Sequence, residues 1–373
     1  MKVLLAGGGT AGHINPALAI AKTIKEKEPT AQILFVGNVG GLEQRLVKNA
    51  GFEIKSISIS GFKRSLSPSA LVHNVKTAFR AVSASSASAK IIKDFKPDIC
   101  IGTGGYVSGP VMRAAQKLKI PVIVHEQNAY PGVTTKMLSK KAEYVMLAVD
   151  EARKHFDGNI NFVLTGNPIR PEILRVNKEE AKAKYKKGDK PLVLSFGGSL
   201  GARKINEGVA DLIARSGKDG KYSHIHAYGQ YGKWFPDLLR ELGTDPDKCS
   251  NLDIREYIDN MAECMAAADV VICRCGAITL SEVQALSKPS VLIPSPNVAE
   301  NHQFHNAMAL VNNNAAIVIE EKDLTDKSIT EAVDKLLSDK AELKKFSENA
   351  GKMAITDSNE RIWAVITKVL NNK

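Results

Sequence analysis

Long apolar runs are missing from this 373-residue chain: no stretch approaches the roughly 18 to 20 consecutive apolar residues of a membrane-spanning helix. The opening Met1-Lys2-Val3-Leu4-Leu5-Ala6 turns to glycine too soon for a secretory leader, so residence in the cytoplasm is the expectation. Cysteine is scarce. Cys100, Cys249, Cys264, Cys273 and Cys275 are scattered, which argues against a disulfide framework. Cys273-Arg274-Cys275 lacks a second pair or nearby histidines to complete a zinc site. The lone D-x-D, Asp245-Pro246-Asp247, lies in a polar stretch and reads as a turn.

What remains is the composition of a globular protein, 44% hydrophobic, at a length that suits two domains. Charge separates the halves. Residues 1–165 carry 22 Lys and Arg against 11 Asp and Glu, whereas residues 166–373 carry 29 of each. The formal excess of +11 therefore belongs to the first half. Such asymmetry fits either a polyanion or anionic membrane partner, or simply a solvated lysine-rich face.

Apolar runs at Lys2–Ala6, Gln32–Val36, Ile99–Gly102 and Pro121–His125 alternate with helical stretches at Pro16–Lys27, Leu42–Ala50 and Pro110–Lys119. Gly166-Asn167-Pro168-Ile169-Arg170-Pro171 interrupts the pattern and reads as a hinge. Beyond it the alternation restarts, with strands at Leu192–Phe196, His224–Tyr228, Val270–Cys273 and Ser290–Ile293 and helices at Lys204–Arg215, Met261–Ala268 and Thr279–Leu286. This is the α/β class: two Rossmann-like, doubly wound parallel sheets, over residues 1–165 and 166–355, facing across a cleft. Ligands of such sheets lie beyond the carboxyl ends of the strands, so the cleft is the expected site.

Two glycine loops stand at matching strand ends, Gly7-Gly8-Gly9-Thr10-Ala11-Gly12-His13 and Gly197-Gly198-Ser199-Leu200-Gly201. A strand ending in glycines lets the backbone approach a ligand, and the next helix aims its free N–H groups at an anion there. Asn15-Pro16 is the expected helix start. A dinucleotide reading of G-x-G-x-x-G requires an acidic residue ending the second strand, but that strand ends Phe35-Val36-Gly37-Asn38 and the next carboxylate is Glu43. A P-loop fails as well, because His13 and Ile14 stand where Lys and Ser/Thr belong. A third segment, Gly102-Thr103-Gly104-Gly105-Tyr106-Val107-Ser108-Gly109-Pro110, is either a further anion cradle in the basic half or a plain loop with a good helix start.

Polar residues follow other apolar strands: His125-Glu126-Gln127-Asn128, Arg274, and Asn301-His302-Gln303. By itself Thr279-x-x-Glu282 favours a capping box, with Glu282 a structural partner of a helix start. A lone histidine in a turn such as His13 is, taken alone, most simply a hydrogen-bonding structural residue.

Taken together these segments resemble the bacterial peptidoglycan glycosyltransferases of the MurG family, within the wider GT-B nucleotide-sugar glycosyltransferases. The resemblance rests on Gly8 to Pro16, Gly102 to Pro110, His125 to Asn128, Gly166 to Arg170, Gly197 to Arg203, Tyr257-Ile258-Asp259-Asn260-Met261 and Arg274 to Glu282, in the family's order. It implies inverting transfer of N-acetylglucosamine from UDP-N-acetylglucosamine to the C4 hydroxyl of lipid I, undecaprenyl-pyrophosphoryl-N-acetylmuramyl-pentapeptide, giving lipid II. His13 becomes the implied base, a role a neutral imidazole suits near pH 7. For the donor it implies Ser199 and nearby amides at the diphosphate, Arg170 and the Ile258 backbone at the uridine end, Glu282 at the ribose, and Gln303 with Asn128 at the sugar. Thr10, Ala11, Gly12, Ala277, Ile278, Thr279 and Leu280 complete the implied donor set; Gly9, Gly104, Gly105 and Tyr106 are implied at the acceptor pyrophosphate.

The implied enzyme needs no cofactor and no metal, because helix dipole, Ser199 and Arg170 stabilise the departing diphosphate. Its implied partners are UDP-N-acetylglucosamine, lipid I, the inner leaflet of the cell membrane and other wall-synthesis proteins, with no nucleic acid. The basic half then sits peripherally on the cytoplasmic face, and Gly61–Val82, with Leu71, Val75 and Phe79 beside Lys63, Arg64, Lys76 and Arg80, is either a docking segment or core. The C-terminal helix, about residues 356–373, is implied to pack back on the first domain. Departures are Ala11 for Gly, Leu200 for Gln, Cys275 for Ser, and a looser Glu300-Asn301-His302-Gln303. A UDP-N-acetylglucosamine epimerase, working through carboxylates in its site, and a sugar-nucleotide-binding regulatory protein are the alternatives.

Overall fold

The computed structural model describes residues 1–59, 83–185 and 188–372; Gly61–Val82, the candidate docking segment, lies outside them. Contacts divide the chain into two units, Met1–Pro168 with Asp357–Lys373, and Ile169–Thr356.

The first unit alternates β1 (Lys2–Ala6), α1 (Ala11–Lys27), β2 (Gln32–Asn38), α2 (Leu42–Asn49), β3 (Glu53–Ile57), a helix α3 described over 83–95, and β4 (Ile99–Gly102). It continues with α4 (Gly105–Lys117), β5 (Val122–Glu126), α5 (Val133–Ser139), β6 (Tyr144–Leu147) and β7 (Phe162–Leu164). All pairings are parallel, in the order β3-β2-β1-β4-β5-β6-β7. The central strands are largely apolar because both faces are covered, with β5 turning polar at His125-Glu126. Along β1, Leu4 and Ala6 enter one core layer with Val107 and Val111 of α4, while Val3 and Leu5 enter the other with Ile14, Ile20 and Ile24 of α1. The chain's last helix, α15 (Ser358–Asn371), adds Ile362, Val365, Ile366 and Val369 to that second layer, the spacing of one helical stripe.

The second unit opens with α6 (Pro171–Arg175) and α7 (Lys178–Tyr185), then β8 (Leu192–Phe196), α8 (Arg203–Asp219), β9 (Ser223–Ala227), α9 (Phe235–Glu241) and β10 (Leu252–Arg255). There follow α10 (Met261–Ala267), β11 (Val270–Cys273), α11 (Ala277–Ala285), β12 (Ser290–Leu292), α12 (His302–Val311), β13 (Ala316–Val318), α13 (Asp326–Ser338) and α14 (Lys340–Lys352). Its parallel sheet runs β10-β9-β8-β11-β12-β13. Both sheets therefore reverse winding beside their first strand, between β1 and β4 and between β8 and β11. The three glycine segments read from the sequence all lie at these two reversals, where doubly wound sheets bind ligands.

One buried polar cluster bears on stability. Ser195 Oγ lies 2.8 Å from His224 Nε2 and 2.7 Å from His226 Nδ1, and the His226 ring packs on Phe235 at 4.4 Å. Burial pushes both imidazoles down, His224 well below the usual range and His226 to about 3. Unfolded histidines bind a proton near pH 6.5, so this contribution to stability is complete above that pH and is lost as pH falls toward 3. His226→Gln should flatten the acid limb of stability by about 1.4 kcal/mol per pH unit. Urea midpoints between pH 6 and 4 test this, and parallel profiles for variant and parent would refute it.

Candidate active site

The first half-site forms where β1 and β4 end side by side, with Ala6 paired to Gly102. Its helix α1 begins at Ala11 with Thr10 as the N-cap residue, not at Asn15-Pro16. The His13 and Ile14 amides both reach the Thr10 carbonyl, at 3.1 and 3.2 Å, which starts the helix without a side-chain cap. His13 is thereby carried on the first helical turn. Its Nδ1 lies 3.1 Å from Thr10 Oγ1, and its carbonyl accepts a 2.7 Å hydrogen bond from Thr103 Oγ1 of the neighbouring loop.

That neighbouring loop is shaped around the histidine. Gly104 and Gly105 have φ of +98° and +77°, which side chains with a Cβ rarely adopt. A Cβ at Gly104 would stand 2.8 Å from His13 Cδ2, and one at Gly105 would collide with the Gly8 carbonyl. Helix α4 consequently starts at Gly105, before the expected Pro110. Tyr106 sits against Gly9, and Asn38 Nδ2 donates to its hydroxyl at 3.4 Å. Burial, with the nearby Glu43 charge, raises the Tyr106 phenol above its ordinary range. The structure thus brings His13, Gly104, Gly105 and Tyr106 together.

At the end of β5 the four residues of His125-Glu126-Gln127-Asn128 divide their work. Gln127 Nε2 lies 2.9 Å from His125 Nδ1, so Nδ1 accepts and His125 Nε2–H donates to the Gly166 carbonyl at 3.0 Å. Desolvation holds His125 below the usual imidazole range, consistent with that neutral tautomer. Glu126 Oε1 accepts from Asn128 N and Nδ2, both at 3.1 Å, and Oε2 accepts from Gly132 N. Asn128 is thus oriented by its neighbour.

The second half-site repeats the design at β8 and β11, where Phe196 pairs with Cys273. The Ser199 and Leu200 carbonyls accept from Gln230 N and Tyr231 N, at 3.2 and 3.0 Å, which braces the Ser199 loop against the segment after β9. Leu200 is half exposed at the loop's rim. Helix α11 begins at Ala277 after Gly276, so Thr279 is two residues inside it. The capping-box reading of Glu282 is therefore overturned: its carboxylate takes Arg170 Nε at 2.6 Å and Nη2 at 2.9 Å in a two-point ion pair. That pairing raises the Arg170 guanidinium pKa. Sequence reading placed Arg170 and Glu282 at different parts of the donor; the structure joins them.

Gln303 Oε1 accepts from Cys275 N at 3.3 Å and Ser295 N at 2.9 Å, linking the turn before α11 to α12. Just before it, Glu300 and Asn301 both adopt left-handed φ, +52° and +49°, a strained entry for residues with side chains. Ile258 and Leu280 have buried side chains, and the Leu280 amide donates to the Gly276 carbonyl at 3.0 Å. Arg274 is tied to Glu321 at 2.5 Å and to the Ile293 and Pro294 carbonyls, a structural role. Asp245 accepts from Asp247 N as the cap of a 3-10 turn at Pro246–Lys248. Tyr257, in the segment to Met261 on which the resemblance rests, is 56% exposed beside the buried Ile258.

The strand-end sites of the two units share one electrostatic feature. The helices α1, α4, α8 and α11, which follow the switch-point loops, all lack both a side-chain cap and an acidic residue in the first turn. By contrast α13 and α14 are capped by Thr325 and Asp339 and carry Asp326 and Glu342 there, while α5 and α12 share the open start without following a switch-point loop. Helix N-termini without a side-chain cap or a first-turn carboxylate leave their positive dipole ends uncompensated, an arrangement that suits phosphate.

Comparison with known proteins follows the same division. Residues 3–147 match the model described as "Glycosyltransferase family 28 N-terminal domain", and residues 192–362 match "Glycosyltransferase family 28 C-terminal domain". A protein of Acetivibrio thermocellus named UDP-N-acetylglucosamine--N-acetylmuramyl-(pentapeptide) pyrophosphoryl-undecaprenol N-acetylglucosamine transferase is 49% identical, over 100% of this chain and 99% of its own. The crystal structure of Acinetobacter baumannii MurG superposes with a TM-score of 0.80 at 29% identity, covering 98% of this chain and 99% of that one. A Neisseria meningitidis UDP-GlcNAc 2-epimerase, 13% identical with a TM-score of 0.66 and covering 100% of both chains, shares the fold alone.

Proposed function

Because the chain belongs to glycosyltransferase family 28, we infer that it is a GT-B glycosyltransferase that moves N-acetylglucosamine from UDP-N-acetylglucosamine to the C4 hydroxyl of lipid I, forming lipid II. The observation that carries the reading is the pair of uncapped switch-point sites, one of them holding a histidine. In the second unit the N-termini of α8 and α11, with Ser199 and Ala277 to Thr279, receive the UDP diphosphate and stabilise it as leaving group, without a metal. Glu282, oriented by Arg170, accepts from the ribose hydroxyls, while the Ile258 backbone meets the uracil. Gln303 has its carbonyl engaged, so it addresses the sugar through its amide hydrogens.

In the first unit the N-terminus of α4, at Gly104, Gly105 and Tyr106, takes the acceptor pyrophosphate, and His13 takes the proton of the attacking hydroxyl. Asn128, fixed by Glu126, is the sugar contact on this unit. If the base acts through Nε2, Nδ1–H donates to Thr10 Oγ1, giving Thr10 an orienting role beside its donor assignment. The epimerase alternative is disfavoured by chemistry as well as by likeness. Glu43, Glu126 and Glu282 already accept from backbone amides or arginine, which suits positioning better than proton abstraction.

No helix of the described residues is long and apolar enough to cross a membrane. The lipid-linked acceptor is met instead at the inner leaflet, peripherally. Within the described residues α5 offers Val133 (69% exposed) and Met137 (43% exposed) one turn apart, with exposed Arg113, Lys117 and Lys140 nearby in the fold. Each basic side chain near an anionic surface contributes about 1 kcal/mol. Two measurements test the reading. Purified protein should release UDP only when a lipid I analogue is added, and epimerisation of the free donor without such release would defeat it. Sedimentation with anionic vesicles should weaken severalfold in Val133→Asp/Met137→Asp, and undiminished binding would defeat the docking face.

A further inference from the structure

Glu43, in the first turn of α2, is 1% exposed, and backbone amides hold both its oxygens. Oε1 accepts from Asn38 N at 2.8 Å and Oε2 from Gly9 N at 3.3 Å. The surrounding chain is built for this side chain: a Cβ at Gly8 would stand 2.8 Å from Oε1, and one at Gly41 would collide with the same carboxylate. Asn38 passes the restraint onward, its Oδ1 accepting from Ile59 N at 3.0 Å and its Nδ2 donating to Tyr106. One carboxylate therefore ties the end of β2, the β1–α1 loop and the first turn of α4 into one block.

Its charge has a second effect. The uncapped, acid-free starts of α1 and α4 favour an anion, yet here a carboxylate already occupies the Gly9 amide. A pyrophosphate brought to that amide would meet a like charge within a few ångströms and in poorly solvated surroundings. Gly9 consequently contributes room for the Tyr106 ring rather than a donor.

Resting on the transfer reading above, we propose that Glu43 is a positioning residue of the reaction: through Gly9 and Asn38 it holds the loop that presents His13, and it keeps the acceptor pyrophosphate off the Gly9 amide. The full-length E43Q variant tests this with UDP-N-acetylglucosamine and a soluble lipid I analogue. It should lose at least tenfold in kcat while donor KM and UDP affinity stay within twofold. The Tyr106 phenol, identified by difference with Y106F, should titrate at lower pH in E43Q because a nearby negative charge is gone. An unchanged kcat, or loss of UDP affinity in step with kcat, overturns the proposal. Failure of the parent protein to release UDP with acceptor would instead strike the transfer reading. Should E43Q not fold, amide exchange of the parent decides: the Gly9 and Asn38 amides should be protected at least about a hundredfold over an unstructured chain, and unprotected exchange at Gly9 overturns the proposal.

Discussion

His13→Ala should lower kcat for acceptor-dependent transfer by about 100- to 10,000-fold, the range a positioned general base contributes, while UDP affinity stays within twofold. The separation follows from the architecture. His13 stands on α1 in the unit of Met1–Pro168, whereas the proposed UDP contacts belong to Ile169–Thr356, whose core is its own. The ring is only partly buried, so its removal leaves the α1 packing of Ile14, Ala17 and Ile20 in place. Loss of a base acting only in the transition state lowers kcat and kcat/KM together and spares donor KM. Steady-state kinetics and calorimetric titration with UDP provide both readings. A kcat within fivefold of the parent would remove His13 from the chemistry and leave it a structural partner of Thr10 and Thr103.

The strands at the centre of each sheet were legible as short segments alternating with helical ones: β1, β2, β4, β5, β8, β11 and β12 are mostly apolar because helices cover both faces, and β9 was found despite its buried His224 and His226. The strands missed, β3, β6, β7, β10 and β13, lie at or next to the sheet margins. In β3, β7, β10 and β13 burial is partial, as in Glu53–Ile57, or the strand is three residues long, as in Ala316–Val318, so periodicity has little to work on; β6, apolar and largely buried, was missed without such a reason.

Helix starts failed for a more instructive reason. Reading for capping residues moved the start of α1 to Asn15, that of α4 to Pro110 and that of α11 to Thr279, each too late. A helix end kept open for phosphate carries no side-chain cap, so the feature that suits these ends to the proposed binding also hides them from cap-based reading. Glu43 was hidden differently. Its partners Gly9 and Asn38 are backbone amides, one of them on another strand's loop, and no spacing rule reports such a contact.

Glu282→Ala should raise donor KM by roughly 10- to 100-fold with kcat little changed, the effect of losing hydrogen bonds to a charged group that are made equally in ground and transition states. Its stability cost should be small, because the partner it abandons, Arg170, is 52% exposed and finds water. The reciprocal change is harsher. Arg170→Met leaves the Glu282 carboxylate, only 6% exposed, without its guanidinium, and an unpaired buried charge is strongly destabilising. Donor KM should rise here as well, because the carboxylate loses the two-point contact that orients it toward the ribose. Arg170→Lys should not restore it, since an ammonium lacks the planar fork. Urea denaturation and donor kinetics on the three single variants and the Glu282→Ala/Arg170→Met double variant separate the terms. If the pair acts as one unit, the double variant matches Glu282→Ala in donor KM and is more stable than Arg170→Met alone. Additive effects on KM would mean that Arg170 and Glu282 reach the donor independently, and the positioning role given to Arg170 would fall.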